Sequence, residues 1–209
     1  MNEIEKLSAI KRMGEASAQK IAESMSTMFG LEVEMAISSI NMVATDNIPK
    51  FTGVTNEAIV AGSYIGFSGF LSGSVLCILS IESAREIASI LLAGMGEESS
   101  EERPVLTEME QSSITELGNI ITSSFIDTWA NTLYVEVTQH PPAFSCDYMS
   151  AIINASLMDS SKVGEFAFMF DSLISVTDHD VDLEVLVLPD LESMQKIFDR
   201  IVISTLDAA

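Results

Sequence analysis

A helical period of apolar residues runs over about 4–29 of the chain. Alternating stretches near 32–43, 57–67 and 70–80 then read as strands, and a helix follows near 82–94. The pattern begins again further on. A long helix is predicted from about 107 to 132, with strands near 134–139, 149–158, 163–170 and 183–188 and a helix near 190–203. The run Gly164-Glu165-Phe166-Ala167-Phe168-Met169-Phe170 is typical of the strand signal. Between the two series lies Gly96-Glu97-Glu98-Ser99-Ser100-Glu101-Glu102-Arg103-Pro104, polar, charged and closed by proline, which reads as a surface linker. Thr107 and Glu110 form a capping-box pattern that starts the second long helix.

The two series look like one plan written twice, at an offset of 104. Ser8 matches Ser112, Ile10 matches Ile114, Gly14 matches Gly118 and Val33 matches Val137. Met13 falls on Leu117 and Met25 on Trp129, which keeps the apolar character. After a small change of length, Ile81-Glu82-Ser83-Ala84 resembles Leu191-Glu192-Ser193-Met194. Neither copy has enough strands to stand as a separate domain. The expectation is one α+β domain over 1–209: two helix-strands-helix units (about 1–96 and 105–209) related by a pseudo-twofold, sharing one antiparallel-rich sheet packed by two long helices.

Composition narrows the function. The net charge is -21, from 31 acidic against 10 basic residues in 209. Charged residues are only 20% of the chain, so the surplus reflects a shortage of Lys and Arg. Phosphate-backbone binding needs a basic face, and none is visible, which excludes nucleic acid. The acidic surplus reads as a solvated surface, as in adaptation to a salty cytoplasm, rather than a dedicated docking site. Cys77 and Cys146 sit in apolar strand-like runs and read as small buried hydrophobes. With no CxxC and with His140 and His179 away from ligand spacing, no metal of its own is expected. The longest uncharged stretch, Ala58 to Ile81, is broken by glycine and serine and alternates as strands do, so no membrane span is expected. The N-terminus opens directly into a helical pattern with no signal peptide visible, which predicts a cytoplasmic protein. There is no GxSxG, no P-loop and no nucleophile beside a histidine in sequence, so a self-contained hydrolase fits poorly. The 12 methionines fall mostly at core-like positions.

The candidate chemistry lies on the second long helix. Ile114, Leu117, Ile121, Phe125 and Trp129 advance by three or four and should face the sheet. Ser112, Glu116, Asn119 and Ser123 advance in the same way on another face. Gly118 lies between the stripes; it costs about 1 kcal/mol in a helix interior relative to Ala, which suggests close packing against a neighbour. An acid and an amide side by side on an outward stripe can be pushed into another protein's active site. The acid can neutralise a cation there. The amide can both donate to and accept from a water. Pro142 follows Asn119 after 22 intervening residues.

The set Ser112, Glu116, Asn119 and Pro142, within the text Ser112-Ser113-Ile114-Thr115-Glu116-Leu117-Gly118-Asn119-Ile120, resembles the CheC family of chemotaxis phosphatases with its CheX and FliY relatives. The family pattern is Asp or Ser, three residues, Glu, two residues, Asn, and Pro about twenty-two residues later. The duplicated plan over nearly the full chain fits as well. The resemblance implies a phosphorylated receiver domain of the CheY type as substrate, carrying an aspartyl phosphate beside a bound Mg²⁺. It implies that Glu116 pairs with a receiver lysine and that Asn119 orients a water in line with phosphorus, without a covalent intermediate on this chain and without a cofactor of its own. It makes Ser112 and Pro142 supporting residues: Ser112 a solvated helix position or a receiver contact, Pro142 a shaper of the nearby surface.

The first copy departs from the pattern. Ser8, Arg12, Glu15 and Ser38 stand at the matching positions. Arg12 would repel a lysine, Glu15 would bring negative charge towards the phosphate, and the proline is missing. The first site is therefore expected to be inactive. Two other roles suit the resemblance: a non-catalytic scaffold of the flagellar switch, and a regulator that binds the deamidase CheD. The internal duplication supplies the pairing that single-copy relatives achieve by dimerising, so a monomer is expected.

Overall fold

The computed structural model of the protein describes residues 3–48, 55, 57–94, 106–158, 166–176 and 179–207. The linker expected at 96–104 lies outside them. The elements in chain order are α1 (Glu3–Phe29), β1 (Val33–Ala44), a single 3-10 turn (Thr45–Asn47), β2 (Ile59–Gly69), β3 (Gly73–Ser80), α2 (Ile81–Gly94), α3 (Glu108–Thr132), β4 (Val137–Gln139), β5 (Ala143–Tyr148), α4 (Met149–Met158), β6 (Phe166–Val176), β7 (His179–Pro189) and α5 (Leu191–Asp207). Both long helices form where their apolar period predicts, and the fold is α+β.

All seven strands join one antiparallel sheet in the order β1-β6-β7-β3-β2-β4, with β5 also on β2. The order reads the same from either end once β1, β2 and β3 are matched with β4, β6 and β7. One ladder row shows the correspondence: Ile40, Phe170, Val185, Cys77, Ser63 and Phe144 face one another in turn across the sheet. A Cβ added at Gly14 of α1 would meet the Phe170 ring at 2.4 Å, and one added at Gly118 of α3 would meet Ser63 Cβ at 2.3 Å. The two long helices thus touch the same row at mirrored places. Their ends also match: Gly30, with φ of 66°, follows α1, and Tyr134, with φ of 53°, follows α3.

The main core lies between the sheet and helices α1, α2, α3 and α5. Ile10, Met13 and Ile21 of α1 meet Ile87 and Leu91 of α2, Ile114 and Phe125 of α3, and Ile197 of α5 over this face. Phe125 and Phe170 pack edge to face at 5.3 Å between centroids, and Trp129 lies 5.7 Å from Phe168. Such pairs add about 0.5–1.5 kcal/mol each beyond area burial.

The other face carries a smaller core. Residues 149–158 were expected as a strand and form helix α4 instead. Met149, Ile152, Ile153 and Ser156 are all buried, a three-to-four period that alternation cannot produce, because Ile152 and Ile153 would point to opposite faces of a strand. The β-branched residues drew the strand reading; packing over Val60, Leu76 and Leu186 outweighs that preference. The strand that pairs with β2 is β5, one segment earlier, and the strand expected at 134–139 begins only at Val137.

Asp171 and Glu184 face each other across β6 and β7 on this second face, and Ser39 of β1 donates to Asp171. Glu184 Oε2 is buried with no partner among the described residues. Burial, reinforced by the neighbouring Asp171 carboxylate, pushes the Glu184 carboxyl up to about 8 from its ordinary 4.5. The folded protein therefore keeps a proton that the unfolded chain releases. That contribution to stability is full below pH 4.5 and is lost as pH rises to about 8. Glu184→Gln keeps the shape and removes the titration. In thermal melts, the advantage of the variant over wild type is expected to widen steadily from pH 4.5 to pH 8; parallel pH profiles would refute this account.

Candidate active site

Helix α3 starts where the capping pattern places it. Thr107 Oγ1 accepts from Glu110 N at 3.2 Å, and Glu110 Oε2 accepts from Thr107 N at 2.6 Å. Ile114, Leu117, Ile121, Phe125 and Trp129 are all buried, so the predicted apolar stripe faces the sheet. This fixes the opposite side outward. Ser112 is exposed, and Glu116, Asn119 and Ser123 are half-buried.

The spacing predicted from the sequence brings Glu116 and Asn119 together one turn apart. Among the described residues neither side chain has a hydrogen-bond partner. The backbone here is well engaged: Asn119 O accepts from Ser123 Oγ at 2.6 Å, and Gly118 O accepts from Thr122 Oγ1 at 2.7 Å. The helix is locally stiff while the acid and the amide stay available. Closing this gap internally would need a neighbour above the helix, and the sheet lies below it.

Gly118 explains how the helix comes so low. A methyl group there would sit 2.3 Å from Ser63 Cβ and 2.7 Å from Ser63 Oγ, well inside van der Waals contact. At the other side of β2, a Cβ at Gly62 would meet Ile152 Cγ2 of α4 at 2.7 Å. Strand β2 is held between two helices by these glycines.

Pro142 is exposed and lies between β4 and β5. Gln139 faces Phe67 whereas Ala143 faces Tyr64, so four steps on the edge strand span three on β2. His140 N still donates to Gly66 O at 2.8 Å, and the pairing stops at Pro141 and Pro142, which have no N–H to give. The motif proline therefore occupies a bulge in the edge strand. The same slip occurs in β1, where Ile37 faces Ser172 and Ser39 faces Asp171, with Ser38 as the extra residue. Ser38 is the position that matches Pro142. Sequence reasoning missed this geometry; the Pro141-Pro142 pair was the available signal.

The matching stripe on α1 has a different character. Ser8 is exposed, and its Oγ donates to Ile4 O at 2.8 Å. Arg12 is exposed, and Glu15 lies 3.7 Å from Lys11 Nζ in a surface ion pair. Among the described residues no group of three or more His, Cys, Asp and Glu side chains is placed to hold a metal ion. No helix among them is long and apolar enough to cross a membrane. Burial, with Glu184 second, pushes the Cys77 thiol up to about 12, so Cys77 serves as core packing.

The CheC-like family model matches residues 109–146, the span from the start of α3 through Pro142 into β5. CheC1 of Halobacterium salinarum is 28% identical over 207 residues, covering 96% of this chain and 98% of its own. The CheY-P phosphatase CheC of Bacillus subtilis is 26% identical over 203 residues, covering 93% of this chain and 92% of its own. Among solved structures, FliY of Thermotoga maritima has the same fold, with a TM-score of 0.74 at 14% identity over 98% of each chain. CheX in the CheX-CheY-BeF3-Mg²⁺ complex of Borrelia burgdorferi matches with a TM-score of 0.50 at 22% identity, over 85% of this chain and 97% of that one. The likeness to FliY and CheX shows a shared fold, an antiparallel sheet packed by helices. The chain is thus similar along nearly its whole length to proteins of the CheC/CheX/FliY family.

Filling the Gly118 contact tests how α3 is seated. Gly118→Ala is expected to cost about 1–3 kcal/mol of stability by overpacking against Ser63. Ser63→Gly in the same chain should recover part of the loss. Urea denaturation of the single and double variants measures both, and additive losses would show that the two residues are not in contact.

Proposed function

We propose that the chain hydrolyses the aspartyl phosphate of a CheY-type receiver domain. The observation that carries this reading is the pair Glu116 and Asn119, adjacent on the outward stripe of α3, half-buried and without partners among the described residues. A carboxylate and an amide left unpaired on a stiff helix are suited to a site that another protein completes. The full-length likeness to the CheY-P phosphatase CheC supports the same substrate class.

In this reading Glu116 pairs with a receiver lysine and anchors the encounter. Asn119 enters the receiver's site and holds a water in line with phosphorus. Water oxygen forms the new bond to phosphorus as the bond to the aspartate oxygen breaks. The carboxylate of the receiver leaves, and the water's proton ends on phosphate or solvent. The receiver's Mg²⁺ neutralises charge on the phosphoryl oxygens when bound there, and positioning is what remains for this chain to contribute. A neutral amide suits the task because a carboxylate at the same place would oppose the anionic phosphate. Pro142 shapes the edge strand beside α3, and Ser112 is a solvated position one turn before Glu116.

The α1 stripe lacks this chemistry. Arg12 repels a lysine, and Glu15 is negative where an amide is needed. The reading takes 1–96 and 105–209 as two copies of one unit, a view supported by the strand order and by the mirrored Gly14 and Gly118 contacts. It also takes the chain as a cytoplasmic monomer, with CheD as a further partner that a pull-down would test.

Dephosphorylation of a phosphorylated CheY-type receiver with Mg²⁺ present decides the proposal. Asn119→Ala is expected to lower kcat by about 10²-fold or more, as removal of a positioning group does. Glu116→Ala should lower kcat/KM strongly by loss of anchoring. Arg12→Ala combined with Glu15→Ala should stay within about twofold of wild type, against the losses of about 10²-fold that mark a functional site. No acceleration by wild type, with or without CheD, would leave a binding module.

A further inference from the structure

Ser and Thr side chains bond back onto the carbonyls of both long helices, usually one carbonyl each. On α1, Ser17 Oγ donates to Met13 O at 2.9 Å and Ser24 Oγ to Lys20 O at 2.8 Å. On α3, Thr115 Oγ1 donates to Gln111 O at 2.6 Å and Thr132 Oγ1 to Thr128 O at 2.7 Å. Single bonds of this kind are ordinary for a hydroxyl inside a helix. The residues after Asn119 do more. Thr122 Oγ1 reaches Gly118 O at 2.7 Å and Asn119 O at 3.4 Å, while Ser123 Oγ reaches Asn119 O at 2.6 Å and Ile120 O at 3.3 Å. Two adjacent hydroxyls thus draw on three consecutive carbonyls, and the middle one belongs to Asn119. That oxygen also accepts the N–H of Ser123 in the helix ladder, so both of its lone pairs are engaged.

A hydroxyl that inserts beside an i→i−4 bond draws its carbonyl off the helix axis and bends the helix there. The carbonyl and the side chain of Asn119 leave from the same Cα, so the tilt of one carries the other relative to Glu116. Among the described residues no side chain bonds the Asn119 amide, which leaves the backbone to aim it. The fold itself does not call for these hydroxyls. Ala18 and Gln19 stand at the matching places of α1, and Gln19 turns away to donate to Glu23 Oε1 at 3.1 Å. The close approach at Gly14 is kept there without them. Ser and Thr are also poorer helix formers than Ala. The adjacent pair is found in the half that carries Asn119, at a place where helix stability alone favours other residues.

We propose that Ser123, together with Thr122, is a positioning residue for the hydrolysis: the two hydroxyls hold the Asn119 carbonyl and through it aim the amide that orients the water. This rests on the receiver-phosphatase reading above. Neither hydroxyl touches the receiver. An in-line attack tolerates little misplacement of the water, so loss of the clamp falls on the chemical step and leaves docking to Glu116.

The test uses the full chain with Ser123→Ala, the double variant Thr122→Val with Ser123→Ala, and Ser123→Thr, which keeps a hydroxyl at the same place. Ala is the better helix former, so the melt of Ser123→Ala should not fall. Its kcat is expected to drop about tenfold, and that of the double variant further, with KM within about twofold of wild type. Titration of a receiver loaded with beryllofluoride and Mg²⁺ should give the wild-type Kd for every variant. Ser123→Thr should keep most of kcat, and so should Thr132→Val, which removes an isolated back-bond. A double variant with kcat within about twofold of wild type would overturn the clamp and leave the phosphatase reading standing. A rise in KM and Kd at constant kcat would place Ser123 against the receiver and overturn it too, as would an equal loss in Ser123→Thr. Side-chain coupling constants measured by NMR decide the clamp without turnover. Asn119 is expected to hold one χ1 rotamer in wild type and to average over several in the double variant. Identical couplings in the two proteins would overturn the clamp whatever the activity. An inactive wild type whose Asn119 rotamer is lost in the double variant would overturn the phosphatase reading alone.

Discussion

The contact of Gly118 with Ser63 sets the height of α3 above the sheet, and the rest of the site depends on that height. A side chain at either approach would lift the helix by the width of a methyl group or more. With the glycine in place, Ile114, Leu117, Ile121 and Phe125 reach the sheet and leave water together. Their burial fixes the rotation of the helix. The rotation puts Ser112, Glu116 and Asn119 on the side away from the sheet. Gly62 completes the arrangement from below, because Ile152 of α4 fills the space its missing Cβ leaves. Strand β2 is thus gripped from both faces, and the bulge at Pro142 lies on the edge strand beside it. The outward pair of Glu116 and Asn119 is positioned by contacts that carry no charge at all.

The two halves show how one scaffold can carry different surfaces. Gly14 and Gly118 make the same kind of close approach on mirrored strands, and Ser38 and Pro142 occupy the same one-residue slip. These are the features that the backbone needs. The outward positions differ freely: Arg12 and Glu15 against Glu116 and Asn119, Glu5 against Met109. Surface positions of a helix constrain the fold weakly, so each half keeps its packing and only one keeps the acid-and-amide stripe. Tyr134 is an exception among the backbone features. It takes the left-handed turn that Gly30 takes after α1, at a cost of about 1–2 kcal/mol for a residue with a Cβ. Its N–H donates to Asn131 O, and the next residue, Val135, donates to Ala130 O, so the closing bonds of the helix offset the strain.

The acidic surplus of the chain is felt inside as well as outside. Most of the 31 acids are on the surface, where solvent absorbs their repulsion. Glu184 is not, and its carboxyl faces Asp171 across the ladder on the less covered side of the sheet. Holding a proton there is cheaper than burying a second charge next to the first. The pair sits away from α3, on the opposite face, so it bears on stability and leaves the electrostatics of Glu116 to the outward stripe.

The sequence by itself determined the long helices, their apolar stripes, the capping box at Thr107 and Glu110, and the adjacency of Glu116 and Asn119. All of these are local: a period of three to four fixes which side chains share a face, whatever lies beyond. It also marked the match between Gly14 and Gly118. Residues 149–158 were not legible, because β-branched residues suit a strand locally and only the packing of Ile152 against Gly62 makes the helix win. The strand order, the partner of Gly118 and the bulge at Pro142 were not legible either. They depend on pairings between residues far apart in the chain, such as Ser63 with Phe144 and Cys77 with Val185, and no local pattern encodes which strand lies beside which. The adjacency of the acid and the amide was written along one helix; the height at which that helix sits was decided by the sheet, because Gly118 and Ser63 meet only when two elements far apart in the chain pack at one register.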